Sequence, residues 1–351
     1  MLYSTLENMV NYITRKIQLT GGSTYIVSLP KEWVKALSLK AGDEVQIMED
    51  SDLKLVVIPK NGDRKEVEKR KTLLCENMVA EAIVREFIAY YMAGYSQVTI
   101  SCKKMKGEDR AYIKDVVRRR LLGAEVIEED VSSLTVQFLI NEKDLPITKA
   151  IGRAYTISHN MLKDALMSIE DQDSELAREI LGRDDEVDRF FFYVARQLTL
   201  SVSSLNILTE EGYNLTQVVD LYSVVKSVER VADHAGRIAE NIPNLQGIVH
   251  RKEIMEAGKM SMDFYEKSVS GFMNERKEVA HDVIGNNMKA FDMVVSTSNL
   301  LLKDEKDVKA TSSGIMILDS FRRIMRYSID IAEATIDLIS KSIEMNRTLE
   351  S

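Results

Sequence analysis

The chain has 351 residues, 45% hydrophobic and 29% charged, with a formal net charge of −8 and two cysteines. That length can hold two or three domains with real cores, and the acidic balance excludes a surface coated uniformly for nucleic acid, so any such contact must come from a local basic patch. No run approaches the ~20 apolar residues of a membrane span, "MLYSTLENMVNYITRK" lacks the flanks of a secretion signal, and Cys75 and Cys102 form no Cys-x-x-Cys pair and imply no disulfide framework, all of which points to a cytoplasmic chain with two ordinary thiols.

The front is β-rich. Lys16-Ile17-Gln18-Leu19 alternates, Gly21-Gly22 can take the positive φ of a tight turn, and Tyr25 to Leu29 is rich in strand formers. Pro30 cannot donate to a ladder and ends that strand. Lys31 to Leu37 makes a short helix with Trp33, Val34 and Leu37 on its apolar side. "EVQIME" and "LKLVVIP" follow as strands around an Asp50-Ser51-Asp52 turn. So few residues of short strand cannot bury a core alone, which predicts an obligate dimer completed by a second copy. Charge is uneven here. Arg15, Lys16, Lys31, Lys35 and Lys40 oppose only Glu32, whereas Asp43, Glu44, Glu49, Asp50 and Asp52 oppose only Lys54.

"GDRKEVEKRK" reads as a solvated linker or helix start. A helix is predicted from Thr72 to Ala93, a strand at "SQVTISC", a helix from Gly107 to Leu122, and strands at "AEVIEE" and "SLTVQFLI". This small α+β block ends near Pro146 and reads as a spacer or dimerisation element.

The rest is helical by its periodicity, with helices predicted at about 147–170, 174–206, 214–242, 250–271, 274–303 and 307–345. Pro243 divides these into three plus three, and an internal repeat supports the division. "AREILGRDDEVD" from Ala177 returns as "AHDVIGNNMKAF" from Ala280, and Ile238-Ala239-Glu240 returns as Ile331-Ala332-Glu333.

One constellation stands out. Val218, Leu221, Val225, Val228, Ala232, Ala235, Ala239 and Ile242 form a heptad seam, and Glu229 and Asp233 stack four apart beside it. The preceding helix has the seam Ile180, Asp184, Val187, Phe191, Val194, Leu198, with Asp188 four residues after Asp184. A carboxylate on an apolar stripe is costly unless paired or metal-bound. If the helices lie antiparallel, Asp184, Asp188, Glu229 and Asp233 converge and would suit a cation, with magnesium or calcium among the choices and His234 standing outside. An exposed acidic helix surface is the competing reading. In the second repeat the equivalent positions are Asn287, Phe291, Arg322 and Arg326. One metal site per chain is therefore predicted, and "FRRIMR" either attracts an anion or forms salt bridges.

"DDEVD" and "VERVADHAGRIAEN" resemble the acidic signatures of the PhoU family of phosphate-signalling regulators. The resemblance implies two three-helix repeats and an iron or zinc site, multinuclear in family members, at Asp184, Asp188, Glu229 and Asp233. "RKIQLTGGSTYIVSLPKEW" and "LKAGDEVQI" resemble the AbrB/SpoVT/MazE class of swapped-hairpin DNA-binding domains. This implies a homodimer laid along double-stranded DNA. The local basic charge makes Arg15, Lys16 and Lys31 the expected phosphate or groove contacts, with Thr20, Ser23, Thr24 and Tyr25 as hydrogen-bond donors near the Gly-Gly turn.

The expectation is a multidomain chain: a swapped-hairpin β module (residues 1–62), an α+β linker block (63–146) and an all-α PhoU-like domain of two three-helix bundles (147–243 and 244–351). Its expected function is that of a DNA-binding transcriptional regulator of phosphate uptake with a metal-binding sensor. The alternative is a metal-binding adaptor that modulates a phosphate transporter or sensor kinase without binding DNA. His159, His234, His250 and His281 are dispersed and no nucleophile–base pair or cofactor motif occurs, which argues against an enzyme.

Overall fold

The computed structural model describes residues 13–49, 55–59, 69–140, 145–202 and 206–348. The chain divides into two compact units, Met1–Val67 and Glu68–Ser351.

In the first unit, β1 (Gln18–Thr20) and β2 (Thr24–Ile26) form an antiparallel hairpin with Leu19 opposite Tyr25. Gly21 and Gly22, at φ 60° and 85°, make its turn, a conformation that glycine adopts without penalty. After α1 (Lys31–Ala36), β3 (Val45–Glu49) pairs antiparallel with β4 (Leu55–Pro59). The expected Asp50-Ser51-Asp52 turn and most of "GDRKEVEKRK" lie outside the described residues. Helix α1 buries no residue, and Ile17, Leu19, Tyr25, Ile26, Ile47 and Leu55 are all exposed, Tyr25 by 74%.

The second unit opens with an α+β block: β5 (Arg70–Leu74), α2 (Ala80–Met92), β6 (Gln97–Ser101), α3 (Gly107–Arg120), β7 (Ala124–Glu129) and β8 (Ser133–Phe138). The sheet order is β5-β6-β8-β7, with β5 parallel to β6 and the other pairs antiparallel. Val98, Ile100, Leu134 and Val136 join Phe87, Tyr91, Ile113 and Val117 of the two helices in one core. Residues 72–74 belong to β5, not to the helix predicted from Thr72. Lys71-Thr72-Leu73 gains a ladder beside β6, and pairing of that kind overrides local pattern. The cysteine expectation is also corrected. Leu74 lies opposite Ser101 in the parallel register, so the next residues, Cys75 and Cys102, face each other and are joined in a disulfide with Cα atoms 5.1 Å apart.

The remainder is all-helical: α4 (Ile147–Asp171), α5 (Ser174–Ile180), α6 (Asp184–Ser201), α7 (Asn206–Thr209), α8 (Val218–Asn241), α9 (Arg251–Met273), α10 (Lys277–Gly285), α11 (Asn287–Asp304) and α12 (Val308–Thr348). These pack as helix bundles around a single continuous core. Two expected helices are each broken in two. Gly182, at φ 83°, separates α5 from α6, and Asn286 separates α10 from α11. The breaks are equivalent, because α6 starts at Asp184 and α11 at Asn287, the matching position of the repeat. Along the predicted seam of α8, Leu221, Val225, Val228, Ala232, Ala235 and Ala239 are all buried. Among the described residues, no helix is long and apolar enough to cross a membrane.

Candidate functional site

The four singled-out carboxylates come from the start of α6 and the middle of α8. Asp188 and Glu229 are buried, Asp184 is half-buried and Asp233 is exposed at the edge of the group. They lie close enough to act on one another. Burial pushes the Asp188 carboxyl up to about 7, against the pull of Arg120, and Glu229, Asp233 and Asp184 add to the rise. Burial and then Glu229 push Asp233 up to about 6. Asp233 keeps much of its surface in water, so the shift at Asp188 carries the argument.

The structure places cations, not a metal centre, against these acids. Lys226 Nζ lies 2.7 Å from Glu229 Oε1, and its ammonium also sits 4.5 Å from the Phe191 ring centre. Arg120 reaches over from α3, 3.4 Å from Asp188 Oδ2. The most tightly held acid is Asp185, only 5% exposed, which accepts from Arg120 Nε at 2.6 Å and Arg119 Nη1 at 2.8 Å. Among the described residues, no group of three or more His, Cys, Asp or Glu side chains is placed to hold a metal ion. The expectation of iron or zinc, or of magnesium or calcium, at Asp184, Asp188, Glu229 and Asp233 is thereby corrected. Two of the four acids have cation partners instead, Asp188 with Arg120 and Glu229 with Lys226, while Glu229 Oε2 is buried without a hydrogen-bond partner. His234, expected outside the acids, is 7% exposed and lies 5.7 Å, ring to ring, from Tyr327 of α12.

Residue-by-residue reading missed Asp185, Arg119 and Arg120. The seam from Ile180 to Asp184 assumed one continuous helix. The break at Gly182 resets the phase and turns Asp185 inward. The only visible signal was the "RRR" run at 118–120, where Asp185, the partner of Arg120, lies 65 residues further along the chain. The same interface carries Arg196 of α6, 7% exposed, which donates to the carbonyls of Tyr91 at 2.5 Å and Tyr95 at 2.8 Å and stacks over the Tyr91 ring. The α+β block is thus clamped to α6 by cations at both ends.

The expected DNA contacts Arg15, Lys16, Thr20, Ser23, Thr24, Tyr25 and Lys31 are all exposed on the first unit, around its first hairpin and at the start of α1. Lys35, one of the counted cations, faces Glu32 at 3.9 Å. The strands between these cations carry exposed apolar side chains, Leu19 on β1 and Tyr25 and Ile26 on β2.

Residues 151–242 match the family model described as "PhoU domain", and residues 18–65 match "Antidote-toxin recognition MazE, bacterial antitoxin". A phosphate-specific transport system accessory protein PhoU homolog of Clostridium acetobutylicum is 23% identical over 216 residues, covering 59% of this chain and 98% of that protein. A protein of the same name from Xylella fastidiosa is 28% identical over 98 residues, 28% of this chain and 39% of its own length. The crystal structure of PhoU from Pseudomonas aeruginosa superposes with a TM-score of 0.51 at 17% identity, covering 56% of this chain and 96% of that one. The two curated relatives carry the name of transport accessory proteins, which corrects the expectation of a DNA-binding transcriptional regulator. The match of residues 18–65 to the MazE antitoxin model does not restore it.

Proposed function

We propose that this chain, which carries a PhoU-type regulatory domain, is a non-catalytic accessory regulator of phosphate-specific transport. Its helical part would dock on a phosphate transporter or a sensor kinase and change its activity. The observation that carries this reading is the alignment with the Clostridium acetobutylicum accessory protein across 98% of that protein's length, together with the shared helical fold. Affinity-tagged full-length chain, expressed in its own cells under phosphate-replete conditions, should bring down a phosphate-transporter subunit or kinase. Deleting the gene should alter the uptake of labelled phosphate. If neither happens, the reading is wrong.

In this reading the first unit joins two copies. Ile17, Leu19, Tyr25 and Ile26 expose apolar surface that a second hairpin would cover. Light scattering of the intact chain should report twice the chain mass. Leu19→Asp with Tyr25→Asp, which places like charges opposite one another in the hairpin, should yield the monomer. A monomeric wild type would remove this part of the proposal.

A further inference from the structure

The acidic face made by α6 and α8 has a counterpart of opposite sign between α8 and α12. Helix α8 brings Arg230, His234 and Arg237 to one face, spaced four and then three apart. Helix α12 brings Arg322, Arg323, Arg326 and Tyr327. The two sets meet, because the Arg230 guanidinium lies 5.4 Å from the Tyr327 ring centre and His234 packs against that same ring. Two carboxylates accompany these cations. Asp319 is engaged by Arg322 at 2.5 Å and lies 4.0 Å from Arg323. Asp330 is held above the usual carboxylate range by its burial, with Arg326 and Arg230 acting in the other direction. Among the described residues, Arg230, Arg237 and Arg326 form no ion pair, so the surface carries an excess of positive charge on a chain that is acidic overall.

A second observation is independent of the charge. His234 is 7% exposed, and its Nδ1 is buried with no hydrogen-bond partner. An orphaned buried polar atom costs roughly 1–3 kcal/mol, and native structures rarely leave one unexplained. The charged groups around this imidazole are Arg237, Asp319 and Arg323, which belong to both helices. Two of the guanidiniums are also steadied on aromatic faces, Arg230 on Tyr327 and Arg326 on Phe291 at 5.8 Å. Stacked guanidiniums keep their donor forks in a fixed plane, so little order is lost when they close on a ligand.

We infer that the α8–α12 surface binds a multivalent oxyanion of the phosphate class, held by Arg230, Arg237, Arg323 and Arg326 with His234 Nδ1 donating from beneath. The class follows from the donors. Forks arriving from two helices match a tetrahedral anion that presents acceptor oxygens on several sides, and charge-assisted pairs of this type are the strong ones. Arg322 and Arg326 stand where the first repeat has Glu229 and Asp233. The two repeats therefore present opposite charges at matching positions, with Arg322 paired to Asp319 and Arg326 free of an ion pair among the described residues. The inference does not depend on the accessory role, since the site can be tested on the purified chain.

Equilibrium dialysis of the full chain against labelled inorganic phosphate should show saturable binding. Arg237→Gln with Arg323→Gln changes two exposed residues, so the fold should survive with its melting temperature kept. Affinity should fall by about ten- to a hundredfold, the usual loss when charged donors are removed. Independently, the imidazole nitrogen NMR signals of His234 should move on phosphate addition while those of the other histidines stay. Pelleting with phosphatidylcholine vesicles, with and without phosphatidic acid, separates the two sources of the anion. Binding only to phosphatidic acid vesicles, lost in the double variant, assigns the site to a lipid headgroup and supports it. No binding of either anion by the wild type, or equal binding by the variant, overturns the inference.

Discussion

Asp188 is a carboxylic acid held far above the range its type implies. Desolvation between α6 and α8 raises its pKa to about 7, and the neighbouring Glu229, Asp233 and Asp184 keep it there although Arg120 opposes them. A carboxyl raised above its unfolded value stabilises the fold while it is protonated. That contribution is complete below the unfolded pKa, near 4, and is lost as pH rises through about 7. Asp188→Asn should therefore flatten the fall in melting temperature between about pH 4 and pH 7, and above that window the variant should be the more stable protein. Equal slopes for both proteins would mean that Asp188 is ionised throughout that range and held by Arg120. The positions of Asp188 and Glu229 on helix faces were legible from spacing. The partner of Asp188 was not, because Arg120 comes from a distant helix, and such an ion pair leaves no local pattern.

At the scale of elements, the bundle is set by how closely its helices can approach. Gly258 on α9 marks one close approach, where a Cβ would come within 2.8 Å of the Phe321 ring on α12 and clash with Leu166 on α4. Phe321 is fully buried and has no room to withdraw. Gly258→Val should lower stability by about 1–3 kcal/mol through overpacking, even though glycine is itself a poor helix former. Urea unfolding would measure it, and an unchanged midpoint would show that the three helices can separate at little cost. The helices themselves were legible, since α4, α8, α9 and α12 each bury one periodic face. Their interruptions were not, because Gly182 and Asn286 sit inside patterns that continue on either side. The same limit produced the error at β5, whose strand character exists only beside β6.

At the scale of the whole molecule, the α+β block and the helical part are one compact unit, and Arg119, Arg120 and Arg196 hold them together. Removing Arg119 and Arg120 together, as glutamines, would leave the buried Asp185 without its ion pairs. The expected loss is about 2 kcal/mol, below the usual range for a broken buried pair because both guanidiniums are roughly half exposed. The block should then become susceptible to proteolysis before the helical bundle does. If the variant unfolds and digests as the wild type does, the clamp lies elsewhere, with Arg196 as the first place to look.

Local rules were enough to read the order of β, α+β and all-helical segments, the repeat within the helices and the faces that α6 and α8 bury, because periodicity and turn residues act over a few positions. Only the folded chain decided which charges meet. An acid quartet reads the same in sequence whether a metal, a lysine one turn away or an arginine from a distant helix balances it. Electrostatic partners are chosen by proximity in space, and here that proximity is created by the docking of α3 on α6 and of α8 on α12.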